Sequence, residues 1–184
     1  MSPTKSYPPR RLKDQEVARV VSAARRLGYP IGTLVEMMVL TAAPPRATRF
    51  MRWADIDRDQ ALWQPRPQQG EEVLETPVPL VASALKLLDG VPGKDHAYVF
   101  SGPSGKACAD NARKRGVIAK TAGLESFELG DIWHTMQSEI RHPEKRETLE
   151  NWAGLIQSLI APPRQPETDV PLTVEKPKAQ TSSD

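Results

Sequence analysis

Apolar residues in the first part of the chain recur at intervals of three and four positions, the spacing of one face of an α-helix. The pattern predicts a helix over Asp14–Leu27, with Gly28 as its C-terminal cap. A second helix is predicted over Thr33–Thr41, which is apolar nearly throughout and is therefore expected to be buried. A short helix over 44–51 is expected to start at its two prolines, because proline fits the first turn of a helix.

Short apolar runs bounded by turn-forming residues predict a small sheet in the middle of the chain. Strands are expected over Ala61–Pro65 and Val73–Pro79, with a third over Tyr98–Phe100. Further helices are expected over Val81–Leu88, Cys108–Thr121, Leu129–Ile140 and Pro143–Ile160. The last of these carries the clearest apolar stripe, formed by Leu149, Trp152, Ala153, Ile156, Leu159 and Ile160. The pattern therefore predicts an α+β fold that is mainly helical, with a small antiparallel sheet.

Proline clusters at both ends of the 184-residue chain and indicates the domain limits. Residues 1–13 are predicted to form a flexible basic arm, since their prolines supply no backbone donors and disfavour helix. Residues 14–161 are predicted to form one domain. Residues 162–184 contain few large apolar side chains and are predicted to be a disordered, proline-rich tail.

The composition gives no support to membrane, secreted or metal-dependent classes of protein. No apolar run is long enough to span a bilayer, and the basic start lacks the apolar region of a secretory signal. A single cysteine, Cys108, is typical of a reducing cytoplasm. Together with Cys108, the histidines at 96, 134 and 142 give no metal-ligand spacing, so no metal or other cofactor is expected.

Positive charge is concentrated in the first third of the chain. Residues 1–60 contain 11 Lys and Arg against 6 Asp and Glu, a balance of +5, although the whole chain has a net charge of only +2. Clustered cations are typical of a phosphate-binding surface, since a polyanion gains most where like charge is clustered. An ordinary solvated basic surface explains the same numbers equally well, so both interpretations stay open.

Two segments carry a resemblance to a known family. The segment 40–57, LTAAPPRATRFMRWADID, resembles the active-site box of tyrosine recombinases, the phage-type integrases, in which Thr-Gly-x-Arg-x-Gly-Glu opens a helix and Arg-Trp-x-Asp-Ile-Asp closes the box. Counting back from Trp53 places Thr41 on the family's Thr and Ala42 on its Gly. The position of the catalytic Arg then falls on Pro44.

The second segment, 127–138, reads FELGDIWHTMQS and resembles the family's His-Asp-Leu-Arg-Arg-Thr helix. Gly130 stands at the His position and Trp133 at the Arg position. Other segments follow the order of a prophage-type catalytic domain, so that the resemblance spans roughly Arg11–Leu159: ETPVPLVASALKLL, HAYVFSGPSGK and KRETLENWAGLIQSL. The resemblance implies a tyrosine-recombinase-like catalytic domain that is incomplete, and it covers no other domain of the family.

The resemblance also implies which groups the chemistry requires. A tyrosine attacks the scissile phosphate, two arginines bind its non-bridging oxygens, and a hairpin lysine acts as proton donor. Both arginine positions are replaced here, and the lysine position falls on Gln69 or Glu71. The three tyrosines, Tyr7, Tyr29 and Tyr98, all precede the second box, whereas the family's nucleophile follows it, in a segment that is missing between Ile140 and Pro143. The chain is therefore predicted not to be an active enzyme.

Neighbouring residues are poor substitutes for the missing groups. Arg46 lies two positions beyond Pro44, about 200° around a helix, and His134 lies about 100° from Trp133. Both are expected to be ordinary polar residues, and His142 is expected to cap the last helix. The segment Gly102–Lys106 lacks the spacing of a phosphate loop and is predicted to be a surface turn. Asp55 and Asp57 are expected to have structural roles.

Three hypotheses for function follow. In the first, the protein is a pseudoenzyme related to DNA integration that binds double-stranded DNA and acts as an accessory or regulator of an intact integrase. Its candidate phosphate contacts are Arg46, Arg49, Arg52, Arg113, Lys114 and Arg115. In the second, it is an interaction module for an intact integrase or for another copy of itself. In the third, it is a decayed prophage remnant with no DNA binding.

Overall fold

The computed structural model describes residues 10–66, 77–139 and 145–160. Within these ranges lie the helices α1 (Asp14–Leu27), α2 (Ile31–Thr41), α3 (Pro45–Arg49), α4 (Ala82–Asp89), α5 (Ala112–Ala122), α6 (Leu129–Glu139) and α7 (Lys145–Ile160). A single 3₁₀ turn spans Trp53–Asp55. The sheet consists of β1 (Ile56–Asp57), β2 (Leu62–Trp63) and β3 (Val78–Pro79), which are antiparallel in the order β1-β2-β3.

Helix α2 is the centre of the core. Its sequence is apolar nearly throughout, and only Thr33 of its eleven residues is not buried. A helix that is apolar on all sides can be satisfied only by neighbours on all sides, and α2 packs against α1, α3, α4, α6 and α7. Helix α1 in turn packs against α5 and α7. This arrangement brings the start of α3 and the whole of α6 to the same central helix.

Helix α1 has both bounds that the sequence predicts, whereas the predicted last residue of α6, Ile140, lies outside the described ranges. Helix α1 spans Asp14–Leu27, and the N–H of Gly28 donates to the oxygen of Ala24, with Gly28 at a φ of 74°. Helix α6 starts at Leu129 as predicted. The predicted apolar stripe of α7 is buried at Leu149, Trp152, Ala153 and Ile156. Leu159, which was predicted to belong to the same stripe, is 40% exposed.

The predicted strand Tyr98–Phe100 is wrong. The residues of this segment divide their backbone hydrogen bonds between two different neighbours, since Val99 donates to the oxygen of Met51 and Phe100 accepts from the N–H of Cys108. Tyr98 forms one isolated bridge with Arg52, so no regular strand develops. Helix α5 also begins later than predicted, at Ala112, because the side chain of Asn111 caps it.

Strand β1, over Ile56–Asp57, was not predicted as a strand. The structural roles expected for its neighbourhood are present: a carboxylate oxygen of Asp57 accepts the N–H of Gln60, and Asp55 forms an ion pair with Arg66. The segment Gly102–Lys106 is a turn, as predicted, closed by the N–H of Gly102 to the oxygen of Lys106 at 2.9 Å.

Several predictions fall on residues outside the described ranges. They concern residues 1–9 of the arm, the lysine position at 69–71, the segment 140–144 with His142, and the tail. Of the predicted arm, residues 10–13 are described. Leu12 among them is buried, and its N–H donates to Oγ1 of Thr135 on α6 at 2.9 Å. In the described part of the chain, every helix is too short or too polar to cross a lipid bilayer.

Candidate nucleic-acid interface

The junction between α2 and α3 forms the first half of the candidate site. Ala42 ends α2 in the left-handed conformation, at φ 49° and ψ 33°, and its N–H donates to the oxygen of Met38. This conformation favours glycine, which is the residue that the family resemblance places there. Pro44 then precedes the first turn of α3 and is buried, and its oxygen accepts the hydroxyl of Thr48 at 3.0 Å.

Helix α6 forms the second half, and it packs against both α2 and α3. The two segments that resemble the family's boxes therefore lie side by side. Trp133 is half-buried against the core, and its indole N–H has no hydrogen-bond partner among the described residues. Its ring lies 4.9 Å from the ring of His134. Gly130 contributes no side chain, so Pro44, Gly130 and Trp133 offer no cation at this junction.

Cationic side chains gather next to this junction, on two aromatic rings. The guanidinium carbons of Arg46 and Arg49 lie 6.0 Å and 5.7 Å from the ring centroid of Phe50. The Phe50 ring meets the Tyr98 ring edge-on, with centroids 6.0 Å apart. Arg52 lies over the Tyr98 ring, 4.9 Å from its centroid. We call these five residues the Arg–aromatic cluster.

The arginines of the cluster keep most of their donors. Nε of Arg49 donates to the backbone oxygen of Cys108 at 3.1 Å, and Nη2 of Arg52 donates to the Tyr98 hydroxyl at 3.1 Å. Arg46 is exposed, as expected, and the other two are half-buried. Among the described residues, none of the three forms an ion pair with a carboxylate. Stacking on a ring leaves the N–H groups in the guanidinium plane available to a second partner.

The three predicted cations on α5 differ in exposure and in ion pairing. Arg113 is exposed. Lys114 is half-buried, and its backbone N–H donates to the Asn111 side chain. Arg115 forms ion pairs with Asp110 and Glu128, and its side chain is only 14% exposed. The charge of Arg115 is therefore compensated within the domain, which makes it a poor phosphate contact.

Cys108 connects the two groups. Burial raises the pKa of its thiol, while the charges of Arg49 and Lys114 act in the opposite direction. The Arg49 hydrogen bond fixes α3 to the segment that leads into α5, although more than fifty positions separate Arg49 from Cys108 in the sequence.

The comparisons with known proteins give a fold. No protein-family model matches the chain, and no curated protein matches it. Among solved structures, the crystal structure of XerA recombinase is similar, with a TM-score of 0.58 and 16% sequence identity. The chain has a recombinase-like fold. The match covers 87% of this chain and 61% of XerA, so the chain spans less than two thirds of that protein.

The fold predicted from the sequence is thereby confirmed: mainly helical, with a small antiparallel sheet and a recombinase-like arrangement. Sequence reasoning identified the three arginines of the cluster but missed Phe50 and the role of Tyr98. One signal was available for Phe50, since it lies between arginines at three-residue spacing. No local signal connected it to Tyr98, because that contact joins distant parts of the chain.

Proposed function

We propose that the protein binds double-stranded DNA through the Arg–aromatic cluster and does not catalyse strand cleavage. The observation that carries the proposal is the set of three arginines held on Phe50 and Tyr98 without a carboxylate partner among the described residues. Guanidinium groups supported in this way lose less side-chain freedom when they bind phosphate. The likeness to XerA supports the fold alone, so DNA binding and inactivity are proposed from the residues of this chain.

Backbone phosphates are the expected contacts, because charge-assisted hydrogen bonds from arginine match phosphate oxygens in geometry. The cluster presents three arginines, at positions 46, 49 and 52, and therefore suits neighbouring phosphates rather than one isolated ion. Such binding positions a protein on a duplex without reading its sequence. Of the cations on α5, only the exposed Arg113 stays a candidate contact. Arg115 is left out of the proposal because of its ion pairs, and Lys114 because it lines a separate cleft.

The proposal of catalytic inactivity rests on the residues at the family's functional positions. Pro44, Gly130 and Trp133 carry no group that stabilises the charge developing on a phosphate under attack, and the loss of one such donor costs about 3–4 kcal/mol of transition-state stabilisation. The hydroxyl of Tyr29 lies outside the cluster and bonds Ser101. The hydroxyl of Tyr98 lies within the cluster, where it accepts from Arg52, and no general base is among its partners in the described part of the chain. A covalent intermediate needs a tyrosine beside the phosphate.

The experiment for binding is fluorescence anisotropy of a labelled duplex, titrated with the full chain at low and at physiological salt. We expect an affinity that falls steeply with salt, as for any protein that displaces counterions from DNA. The variant R46Q/R49Q/R52Q should reduce the slope of log affinity against log salt by roughly one unit for each lost contact. The matched control is R19Q, an exposed arginine of α1. Equal binding by the two variants, or no binding at low salt, would refute the proposed interface.

The experiment for inactivity is independent of the first. A nicked duplex traps the covalent protein–DNA intermediate of enzymes that attack through tyrosine, and the trapped species is visible on a denaturing gel. We expect no such species for this chain under conditions in which an active recombinase forms it. A covalent adduct that disappears in Y29F or Y98F would overturn the inactive assignment while leaving the DNA-binding proposal untouched.

A second candidate function, association with an intact integrase or with another copy of this chain, is favoured by one observation. Leu155 and Leu159 lie one turn apart on α7 and are 39% and 40% exposed. Light scattering after size exclusion tests self-association, with L155K/L159K as the variant. A monomer at all concentrations, unchanged by the variant, would remove self-association, and mixing with a purified integrase of the family would test the remaining partner.

A further inference from the structure

A cleft of about 510 Å³ lies between the α1–α2 turn, the segment 92–103 and the start of α5. This volume falls in the range of small-molecule sites, and the walls are mainly apolar, as such sites require. The residues that matter for its chemistry are Tyr29, Ile31, His96, Ser101, Cys108 and Lys114. None of the functions considered above uses this cleft.

Three polar side chains in the cleft form one hydrogen-bonded chain. The Ser101 hydroxyl, which is buried, lies 2.9 Å from the hydroxyl of Tyr29 and 2.8 Å from Nδ1 of His96. The N–H of Ser101 also donates to the Tyr29 hydroxyl at 2.8 Å. With Nδ1 of His96 occupied by Ser101, Nε2 is the ring nitrogen with a position left for another partner.

Two glycines leave room for the imidazole of His96. A Cβ at Gly93 would lie 3.1 Å from Nδ1 of the ring, and one at Gly105 would lie 3.4 Å from Cδ2. Both glycines have positive φ values, 69° and 72°. A side chain at either position would be strained, and one at Gly93 would also crowd the ring. The hydrogen bond between Nδ1 and the Ser101 hydroxyl orients the ring before any ligand arrives, which reduces the entropy lost on binding.

Charge at the cleft has one sign. Of the described residues that line it, Lys114 is the only one with a permanent charge, and none is acidic. Lys114 has no ion pair with a carboxylate in the described part of the chain. The remaining wall is apolar, with Pro30, Ile31 and Pro103 among its members. A single cation beside apolar walls and a fixed donor–acceptor chain matches a ligand with one negative charge and an apolar body.

We propose that this cleft binds a small aromatic carboxylic acid. The carboxylate lies at Lys114 and the ring lies against the apolar wall. The hydroxyls of Tyr29 and Ser101 are already bonded to Val99, to each other and to His96, so Nε2 of His96 supplies the further polar contact. A singly charged acid fits the single cation better than a doubly charged phosphate. The proposal does not depend on DNA binding, since no residue of the Arg–aromatic cluster lines the cleft.

The test uses two probes with the same ring and nearly the same shape, the charged indole-3-carboxylate and the neutral indole-3-carboxamide, titrated into the ¹⁵N-labelled full chain. We expect amide shifts at Ser101, Ala109 and Lys114 with a Kd of about 1 mM for the acid, as is ordinary for a ligand of this size. The neutral amide should bind about tenfold more weakly, because it loses a charge-assisted contact.

Variants locate the site. K114Q should abolish the preference for the acid, and K120Q, which changes an exposed lysine of the same helix, should leave it intact. A109W adds bulk at an exposed lining residue and should weaken both probes without disturbing the core. Equal affinity for acid and amide, equal effects of K114Q and K120Q, or no shifts at the cleft would each overturn the proposal. Unchanged spectra away from the cleft verify that the variants are folded.

Discussion

Arg52 and Tyr98 are joined in three ways: their backbones form an antiparallel bridge, the guanidinium carbon lies 4.9 Å from the ring centroid, and Nη2 donates to the phenol oxygen at 3.1 Å. The pair fastens the end of the α3 segment to the chain before α5. An arginine held this firmly has a defined direction, whereas a solvated surface arginine samples many. This difference separates the proposed interface from an ordinary basic surface.

We expect Y98L to weaken DNA binding by a few-fold, because it removes both the ring under Arg52 and the contact with Phe50, each worth about 0.5–1.5 kcal/mol. Y98F keeps the ring and removes only the hydroxyl, so its affinity should lie close to that of the wild type. Anisotropy at fixed low salt measures both. An equal loss in the two variants would assign the effect to the hydrogen bond rather than to the ring.

The thiol of Cys108 should react slowly with a disulfide reagent in the folded protein. Burial raises its pKa, so at neutral pH even less thiolate is present than in an exposed cysteine, whose pKa is about 8.5. Unfolding in urea should accelerate the reaction markedly. A rate that is the same in the folded and unfolded protein would show that the thiol is accessible.

The raised pKa of Cys108 should make the protein less stable at high pH. Above about pH 8.5 the unfolded chain releases the thiol proton while the folded chain retains it, so the free energy of unfolding falls as pH rises further. The contribution is fully present below that pH. C108A lacks the group, and the difference between wild type and C108A in urea unfolding should shrink from pH 8 to pH 10. A constant difference would contradict the raised pKa.

Ala61 lies in the turn between β1 and β2 with a φ of 51°, a conformation that costs an L-residue roughly 1–2 kcal/mol. A61G should therefore stabilise the protein by about 0.5–1 kcal/mol, even after the extra freedom of glycine in the unfolded chain is counted. A82G, at the exposed first residue of α4, is the control at an ordinary helical φ and should destabilise slightly, because glycine there only adds freedom to the unfolded chain. Urea unfolding curves distinguish the two signs.

Trp133 is expected to be required for stability. Its indole packs against the core at the position where the family resemblance predicts a catalytic arginine. W133R places a charge in a half-buried apolar site and should lower the free energy of unfolding by roughly 1–3 kcal/mol. W133F keeps an apolar ring and should cost less. If W133R is as stable as wild type, the site tolerates a cation and Trp133 is not required for stability.

Sequence patterns predicted the elements whose neighbours are local. The 3.6-residue period and Gly28 suffice for α1, and α2 is identified by its largely apolar sequence. The segment 98–100 was assigned wrongly because its hydrogen bonds go to two distant segments, which no local window contains. The cleft was missed for the same reason: Tyr29 and Ser101 are 72 positions apart, and only the folded chain brings their hydroxyls together.

The hydrogen bond from Arg49 to the backbone oxygen of Cys108 links the Arg–aromatic cluster to the cleft. Cys108 lines the cleft, and Arg49 is a member of the cluster. A shift of the backbone at Cys108 therefore affects both sites. If an acid in the cleft and a duplex on the cluster favour different positions of that carbonyl, their affinities are thermodynamically coupled. Reciprocity then requires that the acid change the affinity for DNA by the same factor as DNA changes the affinity for the acid.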